Sequence, residues 1–269
     1  MKVAEAIAGS GVDASEARLL LSSASGLARS ALIAHPQGEL SQAAADAFLR
    51  IAERRRRGEP IAYLLGKREF YTLSLTVTPD VLIPRPETEL LVDFALERLP
   101  KGGSVLDLGT GSGAIALAVK QQRPDAVVTA VERSPAALAV ARANAVRHAL
   151  AVEFLQGSWF APMEDRRFDM IVSNPPYVAE GDPHLAEGDV RFEPRGALIG
   201  GPDGLADIRC MVDDVARHLL RGGWLAIEHG AGQDGEVRAL IRKSGLESVS
   251  SRPDLAGIAR ISVGQYNPE

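Results

Sequence analysis

The sequence predicts an α/β protein whose mostly parallel sheet is covered by helices on both faces, preceded by a smaller all-helical segment. Three observations carry this expectation. Beyond residue 103, short β-rich runs alternate with helical ones, the pattern left by strands joined through crossover helices. Roughly the first seventy residues instead read as helices, with cap signals and apolar periodicity. The 269 residues are enough for one large domain or two unequal ones.

Taken in order, Asp13-Ala14-Ser15-Glu16 has capping-box spacing and is followed by Leu19, Leu20 and Leu21, so a helix starts there. His35-Pro36-Gln37-Gly38 reads as a turn. Ser41 caps a second helix with Ala45, Phe48 and Ala52 on one face, and Gly58 and Pro60 stop it. The run Arg54 to Arg57 closes that helix, where cations meet the negative end of its macrodipole; a docking patch for an acidic or RNA-containing partner is the alternative. Phe70 to Val77 suggests a short hairpin or linker. Pro84 and Pro86 with Glu87-Thr88-Glu89 introduce a helix carrying Leu90, Leu91 and Phe94, and Pro86 at the first helical position costs no hydrogen bond.

Further on, residues 104–108, 127–131, 152–155, 168–172 and 224–228 are strand candidates, and 113–122, 134–149, 204–220 and 233–243 are helical. The second of these helices opens with Ser134-Pro135, an N-cap followed by proline. Residues 248–251 and 258–263, separated by Arg252-Pro253-Asp254 and Gly257, read as an antiparallel hairpin on the sheet edge. Glu228-His229-Gly230 ends the strand before it and is expected to be structural.

Composition narrows the function. Hydrophobic residues make up 46% and charged residues 24%, ordinary for a globular protein. No run approaches the ~18 apolar residues needed to span a bilayer, and Glu5 and Asp13 interrupt what a signal peptide would need, so no membrane role and a cytoplasmic location are expected. The single cysteine, Cys210, rules out an internal disulfide and is expected to be a small core residue. One Cys among five His gives no metal-ligand spacing. Residues 1–75 carry ten basic and eight acidic side chains and the remainder twenty and twenty-seven, an acidic balance that disfavours a nucleic-acid substrate.

Residues Val105 to Ala114 form a strand, a glycine-rich turn and a helix start, with Gly109, Thr110, Gly111, Ser112 and Gly113 making the turn. Such a turn lets backbone approach a ligand beyond the carboxyl ends of the strands. Glu132 ends the next strand, where a carboxylate can accept from both hydroxyls of a ribose. Ser158-Trp159 follows the third strand, where an indole can cover an adenine face. Gly109, Gly111 and Ala114 also satisfy G-x-G-x-x-A, so a dinucleotide-dependent dehydrogenase is a rival. Against it stand Asp107, which suits the charged amino-acid end of S-adenosylmethionine, and the lack of an obvious hydride-transfer constellation.

The strand at 168–172 runs into Ser173-Asn174-Pro175-Pro176-Tyr177. Two consecutive prolines fix φ near about −65° and donate no N–H, leaving their carbonyls free to accept. Asn174 adds a side-chain carbonyl beside them. Its oxygen and the Pro175 carbonyl can take both protons of an NH2 group, aiming the residual lone pair at a methyl donor and stabilising the positive charge that develops. Tyr177 is expected to form an aromatic wall for a planar group. The loop by itself allows adenine, guanine or glutamine as acceptor.

The chain resembles the bacterial peptide chain release factor glutamine N(5)-methyltransferases. The resemblance runs through residues 57–64 (Arg-Gly-Glu-Pro-Ile-Ala-Tyr-Leu), Phe70-Tyr71, Ile83 to Glu89, the glycine turn, Asn174 to Tyr177, and Asp189-Val190-Arg191-Phe192-Glu193-Pro194. It implies a helical N-terminal release-factor-recognition domain over 1–68, a hairpin linker over 69–82, and a seven-stranded Rossmann-like class I S-adenosylmethionine-dependent methyltransferase domain over 83–269. The implied substrate is the glutamine of the Gly-Gly-Gln motif in class I release factors, with no direct nucleic-acid substrate. The implied cofactor contacts are Gly109 to Gly113, Glu132, Trp159 and Asn174, and the implied glutamine clamp, catalytic and substrate-binding at once, is Asn174, Pro175, Pro176 and Tyr177. Two positions depart from the family pattern: Glu132 and Ser158, at each of which relatives often have Asp. The resemblance also gives a substrate-binding or lid role to the long stretch 178–203, where Arg191, Glu193 and Arg195 are expected either to contact the release factor or to form an internal salt bridge.

Overall fold

The computed structural model describes residues 1–268. The chain divides into two compact units, one made of Met1–Lys67 with Ala186–Phe192, the other of Arg68–Leu185 with Glu193–Glu269.

The first unit contains α1 (Val3–Gly9), α2 (Ala14–Ser25), α3 (Arg29–Ala34), α4 (Gln42–Arg56) and α5 (Ile61–Leu65). Asp13 caps α2 by accepting from the Ser15 and Glu16 amides, and Gly26 ends it in the left-handed conformation. Ser41 caps α4 by accepting from the Ala44 amide. Ala17, Leu20 and Leu21 of α2 pack against Ala45, Phe48 and Ala52 of α4, with Leu32 of α3 completing the core. A side chain as large as Phe48, fully buried, contributes roughly 1.5–3 kcal/mol of burial free energy.

The arginines that close α4 are spent inside this unit. Arg54 pairs with Glu59, Arg56 with Glu53, and Arg57 with Glu53 at 3.1 Å. Arg55 binds Glu16 at 2.8 Å and Asp189 at 3.0 Å, and Arg56 also donates to the Ser10 carbonyl. Arg191 donates to the Arg57 carbonyl, capping the end of α4.

The second unit begins with the strands β1 (Lys67–Phe70) and β2 (Leu73–Thr76), which pair as a two-stranded sheet. After a single 3-10 turn at Pro86–Thr88 comes α6 (Glu89–Arg98). Then follow β3 (Ser104–Leu108), α7 (Ala114–Gln122), β4 (Val127–Glu132), α8 (Pro135–Arg147), β5 (Glu153–Gln156) and β6 (Phe168–Ser173). The chain closes with α9 (Ala206–Asp214), β7 (Leu219–Glu228), α10 (Asp234–Lys243), β8 (Glu247–Pro253) and β9 (Ala259–Gln265). The sheet order is β5-β4-β3-β6-β7-β9-β8, parallel except for β9, which runs antiparallel to both its neighbours.

Alternation along each strand fills both faces. Val105, Met170, Val172 and Ala226 pack on the side of α6 and α7, together with Phe70, Leu73 and Leu75. Leu106, Leu108, Ile171, Leu225 and Ile227 pack on the side of α9 and α10. Sequence order reverses between β3 and β6: β4 and β5 continue to one side, and β6 and β7 to the other. At such a switch point the loops leaving two adjacent strands part and open a crevice.

Cys210 corrects one expectation. It is exposed on α9, because Ile208, Met211 and Val212 take the inward face and a residue two positions from Ile208 turns away from it. The helix expected over 204–220 is also shorter: it passes into a 3-10 turn at Val215–His218, and Leu219 already belongs to β7.

Candidate active site

The parallel register of β3 and β6 pairs Leu108 with Ser173. Gly109 and Asn174, the next residue on each strand, therefore emerge side by side at the switch point. The glycine turn is held by the Gly109 and Thr110 amides, which both donate to the Val131 carbonyl of β4 at 2.9 and 3.0 Å. Gly109 has φ 72°, a left-handed conformation that favours glycine, and a Cβ there would only touch the Trp159 ring at 3.5 Å. Trp159 itself has φ 48°. The Asp207 carboxyl, whose pKa burial raises, lies beside its indole.

Beneath the turn lies Asp107, fully buried. Its Oδ2 accepts from the Thr110 hydroxyl at 2.6 Å and from the Ala116 amide at 3.2 Å, tying β3 to the turn and to the first turn of α7. Burial pushes its carboxyl up to about 7, against those two hydrogen bonds, and its Oδ1 has no partner among the described residues. Glu132, at the end of β4, accepts from the Gly111 amide at 3.0 Å and the Ser134 amide at 2.9 Å. A carboxylate offers about four lone-pair sites, so it retains acceptor capacity toward a ligand.

A cavity of about 310 Å³ opens over these groups, within the usual size of small-molecule sites. Of the residues singled out in the sequence, Gly109, Thr110, Gly111, Ser112, Glu132, Trp159, Asn174 and Pro176 line it, as does Ser158. Gly113 sits instead at the N-cap of α7, and Pro175 and Tyr177 flank the lining residue Pro176 without lining the cavity themselves. Asp107 is likewise below the cavity rather than on its surface.

Asn174 donates from Nδ2 to Thr88 Oγ1 at 3.2 Å, whereas its Oδ1 is buried without a partner among the described residues. The loop after it is braced. The Val178 amide donates to Leu198 O and the Gly200 amide to Val178 O, and Gln233 Nε2 donates to Tyr177 O at 3.0 Å. A Cβ on Gly200 would meet the Pro176 and Gly204 carbonyls at 2.4 and 2.6 Å, so no other residue fits there. The Tyr177 hydroxyl donates to Glu228 Oε1 at 3.2 Å.

Sequence reasoning missed part of the wall, namely Asp80, Val81, Leu82, Pro84, Thr88, Ser134, Ala137, Pro194, Gly196 and Ala197. The signal for Thr88 lies in the segment Ile83 to Glu89, which carries the family resemblance and a helix start but names no cavity residue by itself. Glu193 is buried, accepts from the Ile83 amide at 3.1 Å and pairs with Arg85, so it serves an internal ion pair. Arg133 reaches the Gly196 carbonyl at 2.6 Å and ties the stretch after Glu193 to the cavity rim.

Among the described residues no group of His, Cys, Asp and Glu is placed to hold a metal, and no helix is long and apolar enough to cross a membrane. Residues 86–188 match the Methyltransferase small domain family and residues 4–66 the PrmC N-terminal domain family. A Pyrococcus furiosus methyltransferase shares the fold at TM-score 0.59 and 20% identity, covering 80% of this chain and 98% of its own. A release factor glutamine methyltransferase of Burkholderia pseudomallei is 50% identical over 97% of this chain and 95% of its own length. One from Salmonella typhimurium is 47% identical over 94% and 92%. With identity of that order along almost the entire length, and with the glycine turn and Asn174 brought together at the switch point of the sheet, the chain belongs to the release factor glutamine methyltransferase family.

Proposed function

We propose that this enzyme transfers a methyl group from S-adenosylmethionine to the side-chain amide nitrogen (N5) of the glutamine in the Gly-Gly-Gln motif of class I release factors. The observation that carries the reading is the buried, unpartnered Oδ1 of Asn174 beside the glycine turn. A buried acceptor left without a donor costs roughly 1–3 kcal/mol, a cost recovered when a substrate N–H arrives.

The residues present suit the cofactor. Gly109 to Gly113 offer a turn that a ligand can approach closely, Glu132 keeps acceptor capacity for a ribose, and Trp159 offers an aromatic face for adenine. S-adenosylmethionine supplies the methyl group in electrophilic form, on a positively charged sulfur. An amide nitrogen is a poor nucleophile because its lone pair is delocalised into the carbonyl. Asn174 Oδ1 accepts one of its N–H bonds and the Pro175 carbonyl the other, which aims the residual lone pair at the methyl carbon. The same two oxygens stabilise the positive charge that grows on nitrogen during transfer. No base is required beforehand; the proton leaves after the methyl group has arrived. Pro175 and Pro176 contribute rigidity, and Tyr177 anchors the loop through its hydroxyl rather than lining the cavity.

On this reading the helical unit over 1–68 recognises the release factor, 69–82 acts as the linker hairpin, and 83–269 performs the transfer. The enzyme works in the cytoplasm with its protein substrate, and nucleic acid is not the acceptor. The test is incubation with labelled S-adenosylmethionine and a release factor, its Gln→Ala variant, or nucleic acid. Label is expected in the intact release factor alone; label in nucleic acid only would overturn the reading.

A further inference from the structure

Tyr177 belongs to the substrate loop yet does not line the cavity, and its partner Glu228 is 2% exposed at the end of β7. A second route reaches the same carboxyl. Asn174 Nδ2 donates to Thr88 Oγ1, and the Thr88 hydroxyl lies beside Glu228 and favours its charged form, although no full hydrogen bond reaches Oε2. One side chain of the loop is thus bonded to the buried carboxyl, and another, three residues away, is bonded to a hydroxyl beside it.

The amide clamp works only if Asn174 presents oxygen, not NH2, to the cavity. The two ends of an asparagine amide have nearly the same shape, so the surroundings must choose between them. Thr88 Oγ1 accepts from Nδ2 as long as its own proton points elsewhere, and Glu228 is the acceptor beside it that draws that proton away. We propose that Glu228 is a positioning residue for methyl transfer: by orienting the Thr88 and Tyr177 hydroxyls toward itself, it fixes Asn174 with Oδ1 facing the substrate. The inference rests on the reading of Asn174 as the amide clamp.

The groups facing this carboxyl give it a pH dependence. Burial pushes Glu228 up to about 7; the Thr88 and Tyr177 hydroxyls ease it down, Glu87 opposes its ionisation, and Arg260 on β9 favours it. Arg85 and Arg260 act on the Tyr177 phenol as well, which burial and Glu228 together push upward. Once protonated, Glu228 is a donor. Thr88 is then free to turn its proton toward Asn174, and the amide can reverse, presenting its own NH2 to the NH2 group it must hold.

The experiment follows kcat for methyl transfer to a release factor from pH 5.5 to 9 in the full-length protein, alongside cofactor affinity and thermal unfolding. Wild type is expected to lose activity below about pH 7, about tenfold per unit at the foot of the limb. Glu228→Gln is expected to lower kcat at pH 8 by about tenfold or more, to leave cofactor affinity within about twofold, and to abolish the acid limb. Thr88→Val, which keeps the side-chain volume, should do likewise, and the double variant should be no slower than the slower single. Wild-type kcat with an unchanged acid limb in Glu228→Gln overturns the proposal. If that variant fails to fold, the same result in Thr88→Val overturns it. A wild-type enzyme that puts no label on the release-factor glutamine fails at an earlier step, and rejects the clamp reading together with this one.

Discussion

In the helical unit every arginine of the 54–57 run finds an acid or a carbonyl, and the caps of α2 and α4 are filled. At the C-terminal ends of β3, β6 and β7, by contrast, three oxygens are buried without a partner among the described residues: Asp107 Oδ1, Asn174 Oδ1 and Glu228 Oε2. Both regions have well-packed apolar cores, so the difference is not one of packing quality. A region selected to hold its shape satisfies its polar atoms internally, whereas one that must bind holds acceptors in reserve and is less stable for it. The unsatisfied oxygens therefore map the chemistry.

The hardest test of that contrast is to remove the packing of the satisfied region. Phe48→Ala is expected to destabilise the helical unit by about 3–5 kcal/mol. Hydrogen exchange should speed up across residues 1–67 while β3 and β6 stay protected, and cofactor affinity should hold. Loss of cofactor binding in this variant would break the division of labour between the two regions.

Next in size is the removal of one reserved acceptor. Asn174→Ala is expected to slow turnover by about a hundredfold or more, equivalent to about 2.7 kcal/mol, with cofactor affinity almost unchanged. Single-turnover kinetics with equilibrium binding of S-adenosylmethionine separates the two quantities. An unchanged rate would refute the clamp.

The same contrast explains what the sequence discloses. Asp13, Ser41 and Ser134 mark α2, α4 and α8 because each cap is a local event between residues three or fewer apart. Helices α1, α3 and α5 are absent from that reading. They are short, and neither Ala28 before α3 nor Pro60 before α5 provides a side-chain cap bond, while α1 has only the Glu5 carboxylate accepting from the Lys2 amide, so tertiary packing largely defines them. The strands were legible as β-rich runs, but the start of β7 was not: Gly222 and Gly223 suggest a turn, yet the strand runs through them beside an irregularity in its pairing with β6. In the cavity, the glycine turn, Glu132, Trp159 and Asn174 announce themselves as residue types at strand ends. The bonds from Asn174 to Thr88 and from Tyr177 to Glu228 join residues far apart in sequence, and no local pattern reveals them.

A smaller effect is expected at Asp107. Its carboxyl is raised from an ordinary 3.8 to about 7, so between those values the folded protein holds a proton that the unfolded chain releases. Its contribution to stability is complete below about pH 4 and is lost as pH rises through about 7. The loss amounts to about 2 kcal/mol once structural relaxation is allowed for. Asp107→Asn should flatten this part of a pH series of urea unfolding curves and leave the share due to Glu228. A stability that rises over the same window would mean that Asp107 is ionised in the folded protein.

The smallest effect sharpens the comparison from the satisfied side. Arg57 pairs with Glu53 at 3.1 Å across one helical turn, but its side chain is 75% exposed. Water screens such a pair, and exposed pairs of this kind contribute about 0.3–0.5 kcal/mol. Arg57→Ala should therefore shift the denaturation midpoint very little. It should also leave KM for the release factor within about twofold, because its neighbours in the run are already engaged with Glu59, Glu16, Asp189 and Glu53. The alternative reading of the run as a docking patch makes the opposite demand. A patch that binds an acidic or RNA-containing partner loses affinity when one cation is removed, and loses it more steeply at low salt than at high. Steady-state kinetics at two ionic strengths decides between them. A KM that rises about tenfold at low salt and recovers toward wild type at high salt would turn these arginines from internal struts into a recognition surface.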